Sequence, residues 1–211
     1  FQVSASGQAM KQSMTKRGLL GLEFWHNGLK QLSATKPLLS PTDAAGLKFR
    51  VQASDVLVAQ FQSLGAVPQK MAFSEVYQAL QSGTIQGQEN TYSNIYGKKF
   101  FEVQDSVTES NHGVIDYLVV TSSEFWEGLP NDIRNQLETI LREVTVSRNA
   151  KAFGVNEASK EAILAAGKTI HSLTKAQRAE WKAAMLPVWD QFKDDVGQHN
   201  IDAAQAINAK Y

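Results

Sequence analysis

Residues 47–87 read LKFRVQASDVLVAQFQSLGAVPQKMAFSEVYQALQSGTIQG, and this stretch decides the fold. Runs with strand composition, at 47–51, 67–71 and 84–87, alternate with two segments of helical pattern that begin at Ser54 and Ser74. Both helical segments end at glycines, and the connections are short. Because strands that alternate with helices over short connections form parallel sheets faced by helices, the stretch predicts an α/β fold.

The rest of the chain continues the alternation. Residues 114–121 are rich in β-branched and aromatic residues, which predicts a longer strand. Pro130 sits where the first turn of a helix tolerates proline, and apolar residues at helical spacing follow it. No further proline occurs before Gly167, so the helix is expected to be too long for one small core and to reach from one lobe to another. A strand at 169–173 and a capping box at 174–177 come next.

Composition excludes several classes of protein. The 211 residues are 43% hydrophobic and 20% charged, as in ordinary globular proteins. Lys+Arg and Asp+Glu both number 21, which argues against nucleic acid or an anionic membrane as the main partner. Lys98 and Lys99 are accordingly interpreted as solvated surface. The absence of cysteine excludes disulfides and thiolate metal sites, and no run approaches the ~18 apolar residues of a membrane span.

The motifs of common enzymes are also missing. The sequence contains no phosphate-binding loop, no dinucleotide-binding glycine motif and no nucleophile elbow. Its four histidines are too scattered for a sequence-local metal motif. A protein that is not an enzyme and that has no metal or cofactor is therefore predicted.

Arg50 is the first candidate for a binding role, because its charge lies between the apolar residues Phe49 and Val51 in the predicted strand 47–51. A buried arginine needs a partner, and its planar fork matches a carboxylate through two parallel hydrogen bonds. The structural alternatives are a salt bridge to an internal carboxylate and a side chain that points to solvent. The strand taken alone favours these structural explanations.

Asn90 is the second candidate, at the end of the predicted strand 84–87. Ligands of open α/β sheets bind at the carboxyl ends of strands, where an amide side chain can donate and accept hydrogen bonds. Asn90 is equally suited to cap the following helix. The sequence leaves both roles open.

Taken together, these segments resemble the binding proteins of tripartite ATP-independent periplasmic (TRAP) transporters. Order and spacing both fit from about Gly18 onward, and the finer pattern is that of the C4-dicarboxylate-binding branch. The stretches that carry the resemblance are GLKFRV at 46–51, ASDVL at 53–57, LGA at 64–66, MAFSEVYQALQSG at 71–83, GQEN at 87–90, SNIY at 93–96, NHG at 111–113, FW at 125–126 and LP at 129–130.

The resemblance implies a two-lobed clamp that closes on an organic acid, and it implies roles for five residues. The signature arginine of the family falls on Arg50, which would bind a ligand carboxylate bidentately. Phe73 falls on the aromatic that lines the cleft, and Asn90 on the polar residue that orients the ligand. Lys30 falls on a second basic position, which is arginine in some members that bind sialic acid; as a point charge it would contact a second carboxylate. His112 is a weaker candidate, weighed evenly against a structural hydrogen-bonding role.

The resemblance also implies a domain organisation. Residues 1–26 and 116–155 are expected to form lobe one, and 27–115 and 156–211 lobe two. The family is longer than this chain, and the N-terminal part of lobe one has no counterpart before Phe1. An incomplete first lobe is expected to expose apolar surface, so a dimer of the truncated chain is one expected outcome.

The implied function is that of a periplasmic receptor, made with a signal peptide in its precursor, that delivers succinate, malate or fumarate to the membrane subunits of a TRAP transporter. Two alternatives stay open. The ligand is a keto acid or a sugar acid in the first, and the chain is an α/β enzyme acting on an organic acid in the second.

Overall fold

The computed structural model describes residues 1–209. The α-helices are α1 (Ala5–Ser13), α2 (Asp55–Gln62), α3 (Val76–Gln81), α4 (Tyr92–Gly97), α5 (Ser123–Glu127), α6 (Asn131–Ala165), α7 (Lys175–Met185), α8 (Pro187–Gln191), α9 (Lys193–Val196) and α10 (Gln198–Asn208). The strands are β1 (Leu19–Ala34), β2 (Lys48–Val51), β3 (Val67–Lys70), β4 (Gly87–Thr91), β5 (Ser106–Glu109), β6 (Val114–Ser122) and β7 (Thr169–Ser172). Short 3-10 helices lie at Met14–Arg17, Pro41–Ala44, Phe73–Glu75 and Phe100–Val103.

Two compact units make up the chain. Unit 1 contains Phe1–Asn27, Asp116–Phe153 and the segment from Lys193 onward, and unit 2 contains Gly28–Ile115 and Gly154–Phe192. The sequence analysis placed the C-terminal segment in lobe two, whereas the structure groups it with unit 1. The reason is that α10 packs against α1, which belongs to unit 1.

The strands of unit 2 run in the order β3-β2-β4-β1-β5-β7, and β6 pairs with β1 away from this path. The predicted parallel sheet is confirmed for β2, which runs parallel to both β3 and β4. Strand β1 is antiparallel to β4 and β5, and the sequence analysis did not predict it. Its sequence contains Gly21 and His26-Asn27-Gly28, which is weak strand composition, so pairing with its neighbours decides its conformation.

The strand predicted at 84–87 lies three residues further along the chain. Strand β4 begins at Gly87 and pairs with β1 from Gly87 opposite Ala34 to Thr91 opposite Lys30. A Cβ atom at Gly87 would lie 2.3 Å from Cε2 of Phe49, so the ring of Phe49 packs directly on the glycine backbone. The GQEN segment is therefore a buried strand, and not a loop at the end of one.

Each face of the unit 2 sheet carries its own apolar cluster. One cluster includes Leu32, Phe49, Phe61 and Trp181, and the other includes Val76, Leu80, Ile95, Phe100 and Val107. Because side chains of a strand alternate between faces, Arg50 lies on the opposite face from Phe49 and Val51. The arginine therefore shares a face with the second cluster.

In unit 1, polar side chains of helix α6 bind both a side chain and the backbone of β1. Nε1 of Trp25 donates to Oγ1 of Thr145 over 2.8 Å. Asn149 donates through Nδ2 to the carbonyl of Phe24 at 2.9 Å and accepts from the N–H of His26 at 2.8 Å. The predicted long helix is confirmed, since α6 continues through residues 131–165 without a break.

The structure also bears on membrane insertion. Across residues 1–209, none of the helices combines the length and the apolar character that crossing a bilayer requires.

Candidate ligand-binding site

Arg50 is held in a fixed orientation in the middle of β2. It is 2% exposed, and its Nε and Nη2 both donate to the carbonyl oxygen of Met71, over 3.1 and 2.9 Å. Its Nη1 is buried and has no hydrogen-bond partner within residues 1–209. One edge of the guanidinium is thus used by the backbone, and the edge formed by Nη1 and the second N–H of Nη2 is left to bind an anion.

The ring of Phe73 lies beside two cations. Its centroid is 5.8 Å from Cζ of Arg50 and 5.6 Å from Nζ of Lys98. Burial lowers the pKa of Arg50 from its ordinary value, while the negative charge of Glu89 acts in the opposite direction. An anion bound at Nη1 would stabilise the charged guanidinium in the same way.

Lys30 and His112 meet at a carboxylate that the sequence analysis gave no role. Nζ of Lys30 lies 2.6 Å from Oε2 of Glu89, and Nε2 of His112 lies 3.4 Å from the same oxygen. Glu89 is 0% exposed, and the side chains of Lys30 and His112 are 7% and 3% exposed. Oγ of Ser110 lies 2.7 Å from Nδ1 of His112. The charge of Lys30 is therefore already compensated inside unit 2.

The pKa shifts in this group have clear causes. Burial alone raises the pKa of Glu89, but contact with His112 and the charge of Lys30 outweigh it, so the net shift is downward. Burial lowers the pKa of His112, against the opposing effect of Glu89. The lowered pKa of Glu89 favours the ionised carboxylate, and the lowered pKa of His112 favours the neutral imidazole.

Asn90 lies inside β4 and is 1% exposed. Its Oδ1 accepts from the N–H of Thr91 at 3.1 Å and from Nδ2 of Asn94 at 2.6 Å. These contacts join the end of β4 to α4, but they do not cap the helix: its N-cap residue is Thr91, and no side chain makes a capping hydrogen bond there. The side-chain amide nitrogen of Asn90 is the group left to donate to a ligand.

Four of the five predicted residues form two groups within unit 2, and Asn90 instead contacts Thr91 and Asn94. Arg50 and Phe73 are in contact on one face of the sheet, whereas Lys30 and His112 gather around Glu89. Glu89 could have been noticed as the acidic residue of the GQEN segment, but the sequence analysis placed that segment at the end of a strand and considered only Asn90. No group of three or more acidic or histidine side chains in the described part of the chain is placed to hold a metal ion.

Comparison with known proteins gives consistent matches. The family model described as bacterial extracellular solute-binding protein, family 7, matches residues 1–195. The C4-dicarboxylate-binding periplasmic protein DctP of Vibrio cholerae is 59% identical over 210 residues, which are 100% of this chain and 63% of that protein. The chain thus spans less than two thirds of the length of this relative.

Two solved structures extend the comparison. A TRAP periplasmic solute-binding protein from Shewanella oneidensis with bound succinate has a TM-score of 0.96 and 48% identity, over 98% of this chain and 68% of that one. A second, from Pseudomonas aeruginosa with bound L-malate, has a TM-score of 0.88 and 44% identity, over 90% of this chain and 67% of that one.

The fold and these matches place the chain in the class of solute-binding proteins. Because the family model covers residues 1–195, the chain belongs to the bacterial extracellular solute-binding proteins of family 7.

Proposed function

We propose that this chain carries the principal anion-binding surface of a periplasmic receptor for a C4-dicarboxylate, such as succinate or malate, that serves a TRAP transporter. The observation that carries the proposal is the buried Nη1 of Arg50, which has no partner within residues 1–209. A buried charged donor without a partner costs free energy, and a carboxylate ligand removes that cost. The Vibrio cholerae relative and the two ligand-bound structures support a dicarboxylate as the ligand.

The proposed contacts follow from the geometry of unit 2. Arg50 binds one carboxylate through the Nη1–Nη2 edge, Phe73 covers the apolar carbons of the ligand, and the amide nitrogen of Asn90 donates to an oxygen. Lys30 and His112 act through Glu89, because that carboxylate already engages them. This differs from the direct contact that the sequence analysis expected of Lys30.

A thermal-shift series tests the proposal. Succinate, malate, fumarate, pyruvate and sialic acid are added to this chain and to an extended chain, in which the N-terminal segment of the Vibrio cholerae relative precedes Phe1. A ligand at a hundredfold excess over its Kd stabilises the folded state by about 2.7 kcal/mol, or a shift of roughly 5–10 °C for a protein of this size. We expect dicarboxylates to give the largest shift.

The matched variants are Arg50→Met and Arg178→Met. Arg178 also donates to a backbone carbonyl, that of Leu173 at 3.1 Å, but it lies in α7, a helix that packs on the first apolar cluster, whereas Phe73 packs on the second. Arg50→Met should abolish the shift, and Arg178→Met should preserve it. The proposal fails if no acid shifts the extended chain, or if both variants respond like the unmodified protein.

We also propose that this chain, taken by itself, dimerises through unit 1. Four apolar residues at helical spacing on α6, namely Ile133, Leu137, Ile140 and Val144, are 37–55% exposed. Such a stripe packs on protein in most folds, and a second copy is available to the isolated chain. Light scattering that finds only monomer at micromolar concentration would contradict this. The extended chain should remain monomeric if its additional segment covers the stripe.

A further inference from the structure

A dicarboxylate carries two negative charges, and Lys30 does not offer a free cation to the second of them. Its Nζ lies 2.6 Å from Oε2 of Glu89, and both side chains are buried. The net charge that this pair offers to a ligand is therefore zero. Another cation of unit 2 that is free to meet the second carboxylate would have to be a different side chain.

Lys98 has the position and the free charge for this role. Its Nζ lies 5.6 Å from the centroid of Phe73, the ring that also lies beside Arg50. Since the Cζ of Arg50 is 5.8 Å from the same centroid, the distance from this Cζ to the Nζ of Lys98 is at most 11.4 Å. Lys98 is exposed, and it makes no ion pair with any carboxylate in residues 1–209. The neighbouring Lys99, by contrast, is paired with Glu102 at 3.3 Å.

The local structure holds the backbone segment that carries Lys98. Its backbone N–H donates to the carbonyl of Asn94 at 3.0 Å, which ends α4. Two residues later, the buried Phe100 packs edge-to-face against Phe73 with centroids 5.7 Å apart. The segment that carries Lys98 is thus anchored to the same aromatic ring that contacts Arg50.

We propose that Lys98 is the second cation of the site and that it favours dicarboxylates over monocarboxylates. Arg50 binds one carboxylate through two directed hydrogen bonds, while Lys98 attracts the other as a solvated point charge. Because Lys98 is exposed, its contribution is modest and depends on salt, and it also increases the rate at which dianions arrive. This inference rests on the proposed function and replaces the interpretation of Lys98 as plain solvated surface.

Isothermal titration of the extended chain tests the role of Lys98. The ligands are succinate and butyrate, which have four-carbon chains with two carboxylates and one, with butyrate measured by competition. Lys98→Gln should weaken succinate binding by about fivefold, as expected for an exposed ion pair, and change butyrate binding by less than about twofold. It should also reduce the dependence of succinate affinity on salt.

Two control variants separate the effect of removing a positive charge from the effect of removing it at position 98. Lys99→Gln removes the same charge one residue away, where the lysine pairs with Glu102, and should leave succinate affinity nearly unchanged. Lys98→Arg should restore it. The inference is overturned if Lys98→Gln behaves like Lys99→Gln, or if it weakens succinate and butyrate equally. Failure of the unmodified extended chain to bind either acid would instead refute the proposed function.

Discussion

Replacing Glu89 with glutamine should destabilise the protein strongly, even when no ligand is present. The Glu89 side chain is 0% exposed, and its Oε2 lies 2.6 Å from the ammonium of Lys30, whose side chain is 7% exposed. Glu89→Gln leaves that ammonium buried without a counter-charge. Loss of one partner of a buried ion pair costs about 3–5 kcal/mol, and this is the decrease in the free energy of unfolding that we expect.

Removing the second charge should restore most of the loss. In a Lys30→Met/Glu89→Gln double variant no unpaired charge remains, and methionine fills much of the volume of the lysine side chain. We therefore expect the double variant to lose about 2–3 kcal/mol less than the sum of the two single variants.

Urea unfolding at pH 7, followed by tryptophan fluorescence and far-UV circular dichroism, measures these differences. The exposed pair Asp55–Lys70, at 2.5 Å, provides the matched control, and Asp55→Asn should cost no more than about 1 kcal/mol. The reasoning is refuted if Glu89→Gln costs as little as Asp55→Asn, or if the losses at Lys30 and Glu89 simply add.

The same cluster predicts a dependence of stability on pH. The folded-state pKa of His112 is lowered, so the unfolded state binds its proton first, and stability falls as the pH drops below about 6.5. The pKa of Glu89 is also lowered, so its contribution is fully present above its unfolded value of about 4.5 and is lost as the pH falls through the folded value. Urea midpoints from pH 7.5 to 3.5 should therefore decrease steadily, and a His112→Asn variant should flatten the part between pH 6.5 and 5. An unchanged slope in that variant would exclude His112 as the cause.

Three further substitutions test the packing and the helices. Gly87→Ala places a Cβ 2.3 Å from the ring of Phe49. It should lower the free energy of unfolding in urea by about 1–3 kcal/mol, and an unchanged free energy would show that the ring moves freely. Gly154 lies in the interior of α6, and an added Cβ would have no neighbouring atom within 4 Å. Gly154→Ala should therefore raise the free energy of unfolding by about 0.5–1 kcal/mol, and a decrease would contradict a regular helix there. Thr174→Ala removes the N-cap of α7, whose hydroxyl accepts from the N–H of Gln177 at 3.2 Å. It should lower the free energy of unfolding by about 1 kcal/mol in thermal denaturation, and no change would mean that the capping box contributes nothing.

The register of β4 shows where sequence patterns stop being sufficient. The composition of 84–87 predicts a strand there, but the strand extends from Gly87 to Thr91 because β1 pairs with it over that range. Since β1 itself has weak strand composition, neither boundary is encoded locally. Both depend on contacts between segments more than fifty residues apart.

The sequence by itself determined the α/β alternation and the long helix α6, and it singled out Arg50 as a charged residue between two apolar neighbours. Each of these follows from local periodicity or from the cost of burying a charge, so neighbouring residues are sufficient to reveal it. Only the tertiary structure decided that Lys30 compensates Glu89, and that Lys98 shares the ring of Phe73 with Arg50. Strand register and the anchoring of Phe100 bring these groups together, and such long-range contacts leave no periodic signal in the sequence.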